Sequence, residues 1–224
     1  MADNYFNFPV QLMKIAPNIR QFCNDVIDYC IYSHSRKLNG RDSISDAAEY
    51  FGVLLGSTFS TEANGRRLYH KIPLPAPMTG ISKGLLFDFL QDYKTEQEIA
   101  VLMAFLAIKS ILGKKKYCRM TNDFLLCRMA GYSAKKDMSQ LPEWLTRYKS
   151  RRIMNGLKMD LQKYYGLKIY ARYTRGFFVS FTLSLEALIT EVEKKRKKYQ
   201  EHHMKGQVSA AVTKVLNDLY NGKK

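Results

Sequence analysis

No apolar run in this sequence is long enough to span a membrane. The longest, Ile99 to Ile108, is fenced by Glu98 and Lys109 and falls well short of the roughly 20 residues a transmembrane helix needs. The amino terminus, Met-Ala-Asp-Asn-Tyr, has neither a basic cluster nor an apolar stretch ahead of a small-residue cleavage site, so no secretory signal is visible. A cytoplasmic protein that does not enter membranes is expected. Cysteine is scarce. Cys23, Cys30, Cys118 and Cys127 lack the paired CxxC spacing of a zinc site, and the four histidines do not complement them. His202 and His203 are adjacent and would point in different directions on a helix, so no metal is assigned. Reduced thiols are expected, with Cys23 and Cys30 on one side of a helix as small apolar groups.

Catalytic motifs are lacking too. Gly80 and Gly84 do not lead into the GK[ST] ending of a phosphate loop, and no serine or cysteine sits in a nucleophile motif. There is no His-hydrophobe-His cluster and no set of acidic residues at metal-binding spacing. The expectation is a protein that is not an enzyme and carries no cofactor.

What the chain does have is positive charge, 36 Lys and Arg against 20 Asp and Glu for a net +16. The excess is uneven: residues 1–94 carry a net +1 and residues 95–224 a net +15. A basic half joined to a neutral half suggests a polyanionic partner, nucleic acid or an anionic surface.

Residues 1–94 read as a mostly helical scaffold or contact region. Phe22, Val26 and Tyr29 lie at helical spacing, and Ser45 could cap a helix carrying Ala47, Ala48, Tyr50 and Phe51. Two stretches interrupt the pattern. Gly52 to Asn64 is rich in Gly, Ser and Thr, and Pro73, Pro75 and Pro77 suit an extended connector. Ser82 then looks like the cap of a short helix with Leu85, Leu86, Phe89 and Leu90 on its apolar side.

From Thr95 onward the order of elements is more specific. Thr95 and Glu98 have capping-box spacing, and Ile99, Leu102, Met103, Leu106 and Ile111 continue a helical stripe to Gly113. Lys114, Lys115 and Lys116 lead into a short extended segment at Tyr117 to Met120. A cap at Thr121 or Asn122 then starts a short helix, Asp123 to Met129, closed by Ala130, Gly131 and Tyr132. After a loop from Ser133 to Thr146 containing Pro142 and Trp144, a third helix is expected from Ser150 to Tyr165. Ile153, Leu157, Leu161 and Tyr164 cluster on its apolar side, while Arg151, Asn155, Lys158 and Gln162 fall within roughly a 60° arc opposite. Such side chains hydrogen-bond phosphates and major-groove base edges, and a solvated polar face looks the same. Leu167 to Tyr173 and Phe177 to Leu183 alternate with the period of a half-buried strand, and Thr174, Arg175 and Gly176 connect them into a hairpin.

Helix, strand, short helix, turn, basic helix and Arg-tipped hairpin, in that order, resembles the winged helix-turn-helix superfamily of DNA-binding domains over about Thr95 to Leu183. The resemblance implies a mainly α fold with a small β-hairpin, a winged-helix domain at 95–183 preceded by the helical region 1–94. It also implies that the helix Ser150 to Tyr165, including Arg151, Arg152, Asn155, Lys158 and Gln162, enters the major groove. Arg172, Thr174 and Arg175 of the wing would touch the backbone or the minor groove. The loop from Ser133 to Thr146 departs from the superfamily, being far longer than the usual connection between the paired helices. The chain is also loosely similar to replication initiators of plasmids and mobile elements.

Residues 184–224 read as basic carboxy-terminal helices. Ser184 caps one that runs into Lys194 to Lys198, and a last amphipathic helix beyond Gly206 carries Val208, Ala211, Val212, Val215 and Leu219 and would close the core or pack on a second copy. The expected function is double-stranded DNA binding, as a transcription regulator or an initiator of replication or transfer, with Lys114, Lys115 and Lys116 as further phosphate contacts. Two alternatives stay open. An RNA-binding protein could stack bases on Tyr170 and Phe178, and a non-enzymatic interaction module could meet an acidic partner.

Overall fold

The computed structural model describes residues 5–15, 18–38, 43–73, 75–134, 138–171 and 176–221. The described chain is mainly helical, with two small antiparallel sheets. Strand β1 (Tyr5–Pro9) and a 3-10 turn lead into α1 (Ile19–Ser35), α2 (Ser43–Phe51), α3 (Thr58–Lys71), β2 (Met78–Ser82) and α4 (Lys83–Gln91). These are followed by α5 (Glu96–Leu112), β3 (Cys118–Met120), α6 (Asn122–Met129), α7 (Glu143–Thr146) and α8 (Arg151–Tyr165). The hairpin of β4 (Lys168–Tyr170) and β5 (Phe177–Ser180) precedes α9 (Leu185–Asn221).

Helix α5 lies at the centre. Its capping box forms: the Glu98 N–H donates to Thr95 Oγ1 at 3.3 Å and the Thr95 N–H donates to Glu98 Oε2 at 2.8 Å. The run from Ile99 to Ile108 is buried on almost every side, only Phe105 being partly exposed, as expected of a helix that is apolar all round. Gly113 ends it in the left-handed region at φ 53°. Strand β2 is fastened to α5 where the Thr79 hydroxyl donates to the Leu106 carbonyl at 2.7 Å and the Lys109 amine donates to the Gly80 carbonyl at 3.0 Å.

The amino-terminal part packs on α5 through β2 and the 3-10 turn and is less purely helical than expected. Strands β1 and β2 pair antiparallel, with Phe8 opposite Thr79. Phe6 and Phe8 are fully buried, Phe6 stacking on Phe51 at 4.8 Å and Phe8 meeting Phe22 edge-on at 5.7 Å. Two local expectations shift and a third holds. Ser45 lies inside α2, which already begins at Ser43. The stretch from Gly52 to Asn64 is not wholly an interruption, since α3 starts at Thr58 with Ser57 accepting the Ser60 N–H at 3.3 Å. Ser82 does cap α4, accepting the Leu85 N–H at 3.5 Å.

The carboxy-terminal part packs on α5 through α6 and α8. In its three-stranded sheet β5 lies between β3 and β4. Cys118, Met120, Phe177 and Val179 point into the core, and Arg119, Tyr170 and Phe178 alternate with them on the other face. The expected loop before α8 holds the short helix α7, with Leu141, Leu145 and Tyr148 buried and Trp144 partly so. One hydrophobic cluster runs through both parts, from Phe6 to Val179.

The two expected tail helices are one. Helix α9 is continuous for 37 residues, roughly 55 Å, and Gly206 does not break it. Leu188 and Val192 are buried at its start, and the described side chains from Lys194 onward are all exposed. Among the described residues no helix is long and apolar enough to cross a membrane.

Gly65 makes the α1–α3 crossing possible. A Cβ there would stand 2.5 Å from both the Asp28 carbonyl oxygen and Tyr32 Cβ. Gly65→Ala should therefore lower stability by about 1 to 3 kcal/mol through overpacking, despite a gain of about 1 kcal/mol in helix propensity. Urea unfolding monitored by circular dichroism checks this, and a more stable variant would show that the crossing relaxes at no cost.

Candidate nucleic-acid interface

Helix α8 begins after Ser150 and ends at Gly166, whose φ of 65° closes the helix with its N–H donating to the Leu161 carbonyl. The buried side consists of Met154, Leu157 and Leu161, extended by Tyr165, which stacks on Phe105 at 4.1 Å. Ile153 and Tyr164, expected to face the core, are 38% and 63% exposed. Met154 and Tyr165 take their places, which turns the apolar stripe by roughly 50°.

That rotation redistributes the polar residues. Arg151, Arg152, Asn155 and Gln162 are exposed. Lys158 lies at the margin instead: it is half-buried, with Nζ 3.7 Å from the centre of the Phe177 ring. Burial, and then the neighbouring Arg151, push its amine below the ordinary lysine range. The outermost ridge is Arg152, Gly156, Met159 and Lys163, of which only Arg152 belongs to the expected set. Centring the helical wheel on Met154 rather than Ile153 would have found the other three.

The outward side carries no carboxylate. Asp160 is the only acid on α8, and it is half-buried and accepts the Gln97 side-chain N–H at 2.7 Å. Gly156 leaves a gap in the exposed ridge, and nothing stands within 4 Å of where its Cβ would be. A mid-helix glycine costs about 1 kcal/mol against alanine, and no packing inside the described chain requires this one.

Lys114, Lys115 and Lys116 are exposed between α5 and β3. Arg172, Thr174 and Arg175, at the expected tip of the hairpin, lie outside the described residues. The stem below them is well defined: Ile169 pairs with Val179 and Tyr170 with Phe178. Among the described residues no group of His, Cys, Asp or Glu is arranged to hold a metal ion.

No family model matches this chain, and neither does any curated protein or solved structure.

Two substitutions on adjacent residues separate the two sides of α8. Gly156→Ala should raise stability by up to about 1 kcal/mol, the helix-propensity difference at an open site. Leu157→Ala should lower it by about 2 to 5 kcal/mol through cavity formation. Thermal and urea unfolding of both variants check this, and a destabilised Gly156→Ala would reveal an internal constraint on that ridge.

Proposed function

We propose that this protein binds double-stranded DNA without enzymatic activity, placing α8 in the major groove and the β4–β5 hairpin against the backbone in the manner of a winged helix. The observation that carries the reading is the carboxylate-free outward side of α8, where Arg151, Arg152, Asn155, Gln162 and Lys163 stand exposed together. The order of elements supports it. Helix, strand, helix, helix and hairpin follow one another, with the first strand pairing to the last. Cations on such a surface neutralise phosphates and release counterions, and Asn and Gln read adenine edges. A transcription regulator or an initiator of replication or transfer would use such a contact.

The second copy of the chain is the partner that α9 suits. Met204, Val208, Val212 and Leu216 recur every four residues and are all exposed, within roughly a 120° arc. Antiparallel pairing separates the basic blocks at Lys194 to Lys198 of the two copies, which parallel pairing would set side by side.

Duplex binding should fall steeply with salt, and Arg152→Ala should weaken it for all sequences and reduce the salt slope. Asn155→Ala should instead change preference among duplexes by about 1 to 3 kcal/mol with little change in stability. Selection from a randomised duplex pool, with folded RNA as competitor, checks both. Identical selected sequences for Asn155→Ala and wild type would remove base reading from α8, and stronger binding to RNA would overturn the duplex assignment. For α9, a Val208→Glu, Val212→Glu double variant should be monomeric where the wild type is dimeric, as read by sedimentation equilibrium. A monomeric wild type would sink the pairing.

A further inference from the structure

The outer face of the three-stranded sheet carries a different chemistry from α8. Tyr117 and Phe178 lie side by side there with ring centres 6.4 Å apart. A groove of about 600 Å³ runs from them past Phe124 toward the end of α5, within the size range of small-molecule sites. Lys115, Arg119, Arg128 and Lys195 also line it, and none of its lining residues is acidic. An adjoining hollow of about 690 Å³ shares Tyr117, Arg119, Phe178 and Lys195 and continues to Tyr170 and Tyr199.

Arg128 gives this groove a second, independent mark. It is only 5% exposed, and its guanidinium donates to Ser110 Oγ at 3.1 Å and to the Ser133 carbonyl at 3.0 Å. Neither acceptor is an anion, and Nε is buried without a hydrogen-bond partner among the described residues. The guanidinium also lies 5.3 Å from the centre of the Phe124 ring, and a buried cation with no carboxylate partner among the described residues is costly to keep. A guanidinium fork suits the oxygens of a phosphate, and flat rings suit the face of a base.

We infer that this groove binds a nucleoside phosphate, with the base against Phe178 and Tyr117 and the phosphate toward Arg128 and Lys195. The ligand is either a free nucleotide or one unit of a single strand, since both present the same base and phosphate. This site uses no residue of α8, and it shares with the proposed duplex contact only the hairpin residue Phe178 and Lys115.

The experiment is calorimetric titration of the full chain with the four ribonucleoside monophosphates, a short oligothymidylate, a nucleoside lacking phosphate, and inorganic phosphate. At least one nucleotide or the oligonucleotide should bind with a Kd below about 1 mM, and nucleoside or phosphate alone about tenfold more weakly. Phe178→Leu keeps apolar bulk but removes the ring and should weaken binding about tenfold, and Lys195→Gln should weaken it through the phosphate. Arg152→Ala should leave nucleotide binding unchanged while lowering duplex affinity, so failure of one site is distinguishable from failure of the other. Tighter binding of the oligonucleotide identifies a single strand as the source, and equal binding a free nucleotide. No binding below about 1 mM, equal binding of phosphate alone, or a folded Phe178→Leu variant with wild-type affinity would overturn the inference.

Discussion

Everything else in this structure follows from the need to bury α5. A helix that is apolar around its whole circumference cannot rest on a surface; it has to be enclosed. Strand β2 and the 3-10 turn after β1 pack on it from the amino-terminal part, and α6 and α8 from the carboxy-terminal part. The polar groups admitted near it are there to fasten the cover. Thr79 bonds the Leu106 carbonyl, and Lys109 spans to Gly80 while its amine sits 4.4 Å from the Tyr5 ring centre and 5.1 Å from that of Phe105. Burial pushes the Lys109 amine below the ordinary lysine range.

Enclosing α5 also sets the pose of α8. Tyr165 stacks on Phe105 of the central helix, and Tyr148, fully buried just before α8, donates its hydroxyl to Gln97 near the start of α5 at 3.1 Å. Lys158 links α8 to the hairpin through the Phe177 ring. The exposed ridge of α8 is thus held at both ends and along its flank by groups rooted in the core. This is the rigidity that a recognition surface needs if its few contacts are not to be spent on ordering it.

Much of the carboxy-terminal part was legible in the sequence because its signals are local. The Thr95–Glu98 box, the Thr121 cap, Gly166 and the period-two alternation of the hairpin each specify an element within a few residues. What was missed depends on distant partners. Phe6 and Phe8 are a strand because Thr79 and Ile81 lie beside them, more than 70 residues away. Thr58 to Asn64 is helical although its composition reads as loop, because Gly65 lets the helix nestle on α1. Ile153 and Met154 are adjacent and similarly apolar, so tertiary packing alone chooses between them. Arg128 is an arginine in an amphipathic pattern, and no local signal tells that its guanidinium is enclosed.

The four cysteines are buried and outside any disulfide, two in α1 and two in the half that holds α8. Burial pushes the Cys23 thiol to about 12 and the Cys118 thiol to about 11, so almost none of either exists as the nucleophilic thiolate near neutral pH. Reaction with an alkylating reagent then waits for the surrounding structure to open. The molecule in this way carries its own clocks of local unfolding, one pair ticking with the amino-terminal cover and the other with the half that presents α8.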